Sequence, residues 1–214
     1  MADPFAAPSN PGRDSVTLSI VEIDLSTLES LRFPTYRVVK RFSWLGENHL
    51  TVSAQLKSLA KLWSPLEIVM DATGVGEGLW AMLDQDFHYR LRPVKYNARI
   101  KSDIGYAFLS IINTGRFHDC APDPRVEAQY RHCQAETLIG PSKALRWGVP
   151  DGRRGPDGQL VHDDYLMADS LVAILDGLDW SISSPSTLIP SVDPLERMSH
   201  IKDFDWKELK GFGY

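Results

Sequence analysis

Cysteine is scarce in this chain: Cys120 and Cys133 are the only two in 214 residues. Two cysteines cannot build a disulfide framework, so the sequence reads as that of a protein from a reducing compartment, the cytoplasm. Long apolar runs are missing as well, and none approaches the roughly 20 residues a membrane span needs. The opening stretch MADPFAAPSNPGRD lacks both the basic and the apolar segment of a secretory signal. A basic excess is also absent. Lys and Arg number 23 against 28 Asp and Glu, a net charge of −5, which excludes a generally basic nucleic-acid coat but leaves room for a local basic surface. What is present, 43% apolar and 24% charged residues, suits a globular domain with a real core.

Residues 1–14 carry Pro4, Pro8, Pro11 and Gly12 and are expected to form a loop. Val16, Leu18 and Ile20 then alternate with polar neighbours, the period of a strand over 15–24, and a second β-rich run follows near 35–43. Val52, Leu56, Leu59 and Trp63 recur at helical spacing, which predicts a helix over 48–63 that Pro65 ends. Further strands are expected near 66–71 and 90–96, with a helix from the glycine-rich turn at 74–78 to about Phe87 between them. Ser102 is expected to cap a helix bearing Ile104, Phe108 and Ile111, stopped by Gly115. A weaker helix over 124–136, a surface loop over 151–158 and a strongly apolar helix over 162–175 complete the reading. The domain is thus expected over 15–180, followed by a Ser/Pro-rich tail over 181–214. This order of strands and helices predicts an α/β fold, a mixed sheet flanked by helices.

Three carboxylates are the candidate chemistry. Asp71 ends an apolar strand just before a glycine turn, and ligand sites in α/β sheets lie off the carboxyl ends of strands. An Asx cap of the following turn explains it equally well. Asp163 and Asp164 precede the apolar helix, where acids also suit the helix dipole. Asp164 shares a helical stripe with Met167, Leu171 and Leu175, and side chains lean toward a helix N-terminus, so its carboxylate is aimed past the end of the core. Carboxylates that converge without His or Cys repel one another unless a hard divalent cation, Mg²⁺ or Mn²⁺, neutralises them. Beside them the segment 90–101, RLRPVKYNARIK, holds Arg90, Arg92, Lys95, Arg99 and Lys101 and no acid. Such a run is commonly a solvated face; beside a metal site it would position a phosphate backbone.

VMDATGVGEGLWAML (69–83), KSDIGYAFLSIINTGRF (101–117) and HDDYLMADSLVA (162–173) resemble, in that order, the nuclease domain of phage DNA-packaging terminase large subunits. The likeness spans roughly 13–178, including RDSVTLSIVEID near the start. It implies a ribonuclease H-like fold, a site of two divalent metals held by acids, and cutting of concatemeric double-stranded viral DNA into genome lengths. Asp71 matches the family's second catalytic aspartate, and Asp163 with Asp164 its C-terminal acidic pair. The portal and the small terminase subunit are the partners so implied, and the host cytoplasm the location. Two departures stand out. No G-x-x-x-x-G-K-[ST] motor signature occurs, and no apolar strand ending in Asp precedes residue 15. Asp3 and Asp14 are poor substitutes for that first catalytic acid. A gap in the sheet is the expected consequence.

Other readings compete. The chain can also be read as a truncated, catalytically incomplete fragment that only binds DNA or a partner. Gly76-Glu-Gly-Leu-Trp-Ala81 formally fits a dinucleotide fingerprint, but Asp71 would repel the pyrophosphate. His118, Cys120, His132 and Cys133 match no common zinc spacing.

Overall fold

The computed structural model describes residues 15–74, 76–155 and 158–180. The loop expected over 1–14, with Asp3 and Asp14, and the tail expected over 181–214 lie outside the described residues. Strand β1 (Ser15–Asp24) pairs antiparallel with β2 (Thr35–Leu45), which pairs in parallel with β5 (Phe117–Asp119). Strand β3 (Ile68–Asp71) pairs in parallel with β4 (Leu91–Val94), and β6 (Gln134–Thr137) forms a hairpin with β7 (Leu145–Gly148). The helices are α1 (Leu28–Leu31), α2 (His49–Trp63), α3 (Gly76–Phe87), α4 (Ala98–Asn113), α5 (Pro124–His132), α6 (Asp164–Ser170) and α7 (Val172–Asp176). None is long and apolar enough to cross a membrane.

Two apolar layers sandwich the strands. On one side α2 and α3 bring Val52, Leu79 and Leu83 against Trp44 and Leu91. On the other, α4, α6 and α7 bring Ile104, Phe108, Ile111, Leu166 and Leu175 against Tyr36 and Val94. A β-bulge lets one strand serve both layers. Ile20 pairs with Lys40 and Val21 with Val38, so Val39 is an extra residue and the faces of β2 swap there. Tyr36 therefore packs on the α4 side while Phe42 and Trp44 pack on the α2 side.

Several expectations need correction. The helix expected to start at Ser102 starts at Ala98, because Asn97 is the cap: its side chain accepts the amide of Ile100 at 2.9 Å. Ser102 is instead buried inside α4, where its hydroxyl accepts the amide of Leu145 at 2.8 Å. The helix expected over 124–136 ends at His132, and its last residues belong to β6. The helix expected over 162–175 is two, α6 and α7, which meet at Leu171. The periodicity of the sequence gives no sign of β5, β6 or β7. Trp63, on the expected buried stripe of α2, is 44% exposed.

Two buried ion pairs lock the layers. Asp169 of α6, fully buried, accepts hydrogen bonds from Ser19 Oγ of β1 at 2.5 Å, Arg41 of β2 at 2.8 Å and the Tyr130 hydroxyl of α5 at 3.0 Å. Burial pushes its carboxyl up, against the pull of the Arg41 guanidinium. Arg116, also buried, forks onto Asp176 at 2.6 and 2.9 Å and donates to the Pro34 carbonyl, while Tyr36 donates to Asp176 at 3.0 Å.

Candidate metal centre

The loops that follow β3 and β4 are stitched together. Ala72 N–H donates to the Val94 carbonyl at 2.8 Å, and Tyr96 N–H to Thr73 Oγ1 at 2.7 Å. Asp71 stands at the end of β3 with its side chain exposed, and its Oδ1 accepts the Thr73 amide at 2.8 Å. The Asx-type turn weighed from sequence is therefore present. It uses one oxygen, leaving Oδ2 without a hydrogen bond among the described residues. Gly76 opens α3 directly behind: a Cβ there would lie 2.3 Å from the Asp71 carbonyl oxygen. This glycine admits the strand end rather than a pyrophosphate.

Asp163 and Asp164 start α6. Asp163 occupies the N-cap position, yet its side chain makes no capping bond. Its carboxylate lies instead against Gly148 of β7, with the Lys101 ammonium of α4 near the same glycine; a Cβ on Gly148 would be 2.7 Å from Asp163 Oδ2 and 3.7 Å from Lys101 Nζ. Lys101 Nζ also sits 5.7 Å from the centre of the Trp147 ring. The Asp164 carbonyl accepts the Thr17 hydroxyl at 3.0 Å, tying the start of β1 to the start of α6. The stripe of α6 bearing Asp164, Met167 and Leu171 is half-buried and lines an open groove, while Tyr165, Leu166, Asp169 and Ser170 are the buried face.

Tyr96 lines the same groove as the two acids. Its hydroxyl is buried and faces Ser170 without a hydrogen bond of normal geometry. Burial pushes the phenol up to about 12, and the charges of Asp71 and Asp163 add to the rise. Cys133 is half-buried near Asp163 and Lys101, its thiol raised first by burial and further by Asp163, with Lys101 opposing.

The basic segment divides in two. Lys95, Arg99 and Lys101 follow the end of β4, on the side of Asp71. Lys95 pairs with Glu77 at 2.9 Å; Arg99, 91% exposed in its side chain, reaches Asp103 only at 3.9 Å. Arg90 and Arg92 lie at the other end of the strand pair, where Arg90 donates to the Pro65 carbonyl and Arg92 clasps Glu67 with two bonds of 2.8 Å. The acids absent from the segment itself are supplied by neighbouring elements.

Sequence reasoning missed Lys101 as the neighbour of Asp163, and it missed Tyr96 altogether. The one signal for Tyr96 was an aromatic immediately after a strand end. Oxygen-only donors on Asp71, Asp163 and Asp164 suit a hard divalent cation, which is commonly held by one or two carboxylates together with waters and substrate phosphates. Among the described residues no three His, Cys, Asp or Glu side chains are grouped closely enough to hold an ion by themselves. The residues present therefore fit part of such a site. The same finding leaves no zinc cluster at His118, Cys120, His132 and Cys133.

Parallel and antiparallel strand pairs clasped between two helical layers suit the ribonuclease H-like class. The terminase RNaseH-like domain family matches residues 11–137, and the chain belongs to that family. Two solved structures share the fold. The large terminase nuclease of thermophilic phage G20c with bound cobalt is 17% identical, with a TM-score of 0.51 over 74% of this chain and 81% of that one. The same nuclease with bound magnesium is 14% identical, with a TM-score of 0.51 over 77% and 82%. Among curated proteins, none matches the chain.

Proposed function

We propose that this chain is the metal-dependent endonuclease domain of a terminase large subunit and cuts double-stranded DNA during genome packaging. One observation carries the reading: Asp71 at the end of β3 and Asp163 with Asp164 at the start of α6, from elements far apart in sequence, line one groove. The magnesium and cobalt bound to the G20c nuclease support a divalent cofactor here, taken as Mg²⁺ or Mn²⁺ in a two-metal site. Such ions, when bound, activate water and neutralise charge at the scissile phosphate.

The chain's own residues would share the remaining work. Asp71 would offer its unbonded oxygen from the strand end, and Asp163 with Asp164 would offer carboxylates from the start of α6. Thr17 fixes the Asp164 backbone, and the space at Gly148 fixes Asp163. Lys101 moderates the repulsion between the acids, and with Lys95 and Arg99 it would hold phosphates without reading sequence. Arg90 and Arg92 would extend that contact along the far end of β4. Portal and small-subunit contacts and a place in the host cytoplasm belong to this reading through the family.

The test is Asp71→Asn in the 214-residue chain. It should abolish Mn²⁺-dependent nicking of plasmid DNA while circular dichroism and melting stay unchanged. Cleavage at the unaltered rate would remove Asp71 from the chemistry.

A second reading has its own support. With no three-acid cluster among the described residues, these acids alone would be a catalytically incomplete set, and the chain would bind DNA or a partner rather than cut. Cleavage by the purified chain some ~10²-fold below that of a completed domain is the corresponding expectation, since misplacement of reacting groups costs that much.

A further inference from the structure

Among the described residues, an Asn or Asp at the N-cap of a helix caps it with its own side chain in every case but one. Asn48 before α2 accepts the Thr51 amide at 2.8 Å, Asn97 before α4 the Ile100 amide at 2.9 Å, and Asp123 before α5 the Arg125 amide at 2.8 Å. All three have the extended backbone usual for such a cap, with ψ of 151°, 174° and 125°. The exception is Asp163. It stands in the same position before α6 and is as good a capping residue, yet its ψ is 16° and its side chain makes no capping bond.

The amide it neglects is satisfied from another helix. Leu166 is the third residue of α6, and its N–H is one that an N-cap side chain ordinarily accepts. Here that N–H donates to Gln129 Oε1 of α5 at 3.0 Å. Leu166 is 2% exposed and Gln129 6%, so water cannot serve as the acceptor instead. Gln129 is held in place by its own neighbours. Tyr130 donates to Asp169 of α6 at 3.0 Å, and the Arg125 guanidinium lies 5.6 Å from the centre of the Tyr165 ring. The carboxylate so released lies against Gly148, where no Cβ obstructs it, and lines the groove with Asp71 and Asp164.

We propose that Gln129 is a positioning residue: it caps α6 in place of Asp163, so that the Asp163 carboxylate is turned to the groove and open to a divalent cation. The two roles of that carboxylate exclude each other. Drawn onto the Leu166 amide it leaves Gly148, and held at Gly148 it leaves Leu166 to Gln129. The consequence for a metal rests on the metal-dependent reading; the exchange of caps rests on the hydrogen bonds alone. A glutamine that merely packs α5 on α6 would contribute the same stability whether or not residue 163 carries a carboxylate. A surrogate cap would not, because Asp163 can take over its amide.

The test is a two-residue cycle in the 214-residue chain, Gln129→Met and Asp163→Ala singly and together. Methionine is a similarly long, unbranched side chain and lacks the strong acceptor. In EDTA, Gln129→Met alone should leave the Leu166 amide protected from exchange and lower Tm by less than ~1 °C, well under the shift of one lost cap. In the Asp163→Ala background the same change should expose that amide to exchange and lower Tm by roughly 2–4 °C, the shift of a lost cap in a domain of this size. By calorimetry Gln129→Met should weaken Mn²⁺ binding about 10- to 100-fold, as loss of a group that orients a metal ligand does. Gln129→Glu, which retains the acceptor, should bind Mn²⁺ as the parent does. Equal losses of Tm and of protection with and without the Asp163 carboxylate overturn the proposal and leave Gln129 a packing residue. Unchanged Mn²⁺ affinity in Gln129→Met overturns it too. If Gln129→Met does not fold, Gln129→Asn, which draws the acceptor back by one methylene, enters the same cycle. A parent chain that binds no Mn²⁺ would reject the nuclease reading, and the metal-free half of the cycle would still decide whether Gln129 keeps Asp163 off its own helix.

Discussion

Gly148 leaves room for the carboxylate of Asp163: a Cβ on it would sit 2.7 Å from Asp163 Oδ2. The same residue has a φ of 136°, which a side chain disfavours. Gly148→Ala should therefore displace Asp163 and strain the end of β7 together. Mn²⁺ affinity, read by calorimetry, is expected to fall at least about tenfold, a loss of ~1.4 kcal/mol. Unchanged affinity with an intact fold would mean that Asp163 does not need this position.

Asp169 is the more severe site for stability. Arg41 is only 4% exposed in its side chain and is shared between Asp169 and Asp119. Asp169→Ala would leave that guanidinium buried beside an empty acceptor, a change that costs about 3–5 kcal/mol. Urea denaturation should show the loss, and the double variant Asp169→Leu with Arg41→Met should recover much of it. A loss below ~1 kcal/mol in the single variant would place the pair in the weakly coupled class of surface bridges.

Legibility in the sequence followed periodicity. β1, β2, α2 and α3 could be read because each repeats its pattern over ten or more residues. β3 and β4 are as short as β5, β6 and β7, but their apolar residues stand between helices; β5, β6 and β7 carry no such mark, β5 existing through pairing with the distant β2 and β6 with β7 as a hairpin. Ser102 misled because a serine before an apolar stripe is a good cap, but Asn97 stands a turn earlier and the buried serine serves Leu145 instead. The three acids stood out by position, at the end of a strand and the start of a helix. The Asp169 cluster did not, since its partners Ser19, Arg41 and Tyr130 lie 150, 128 and 39 residues away. Only the fold brings them together.

Alkaline stability should report on the buried tyrosines. Tyr36, Tyr96 and Tyr130 all have phenols raised above the ordinary value of 10.0, in each case chiefly by burial. A group whose folded value is raised contributes stability that is complete below its unfolded value and is lost as pH climbs through the folded one. For Tyr96 that window runs from 10.0 to about 12. The denaturation midpoint should fall progressively across it, and Tyr96→Phe should flatten part of the decline. An identical pH profile for that variant would show that the Tyr96 phenol is not held neutral by the fold.

The two halves of the basic segment should separate in DNA binding. Removing one cation that touches a phosphate flattens the slope of log K against log salt by about 0.9. Lys95, Arg99 and Lys101 lie on the side of Asp71. Arg99 is the most exposed of the three, so Arg99→Ala alone should take close to the full decrement. Lys95 must first leave Glu77, and Lys101 must leave the Trp147 ring, so each should contribute less. Arg90 and Arg92 are engaged with Pro65 and Glu67 at the opposite end of β3 and β4. Replacing both with alanine should flatten the slope by less than replacing Arg99 alone. Fluorescence anisotropy on a short duplex between about 50 and 200 mM salt would measure all of these slopes. If Lys95→Ala, Arg99→Ala and Lys101→Ala combined leave the slope unaltered, the segment is a solvated face and the duplex approaches the acids from elsewhere.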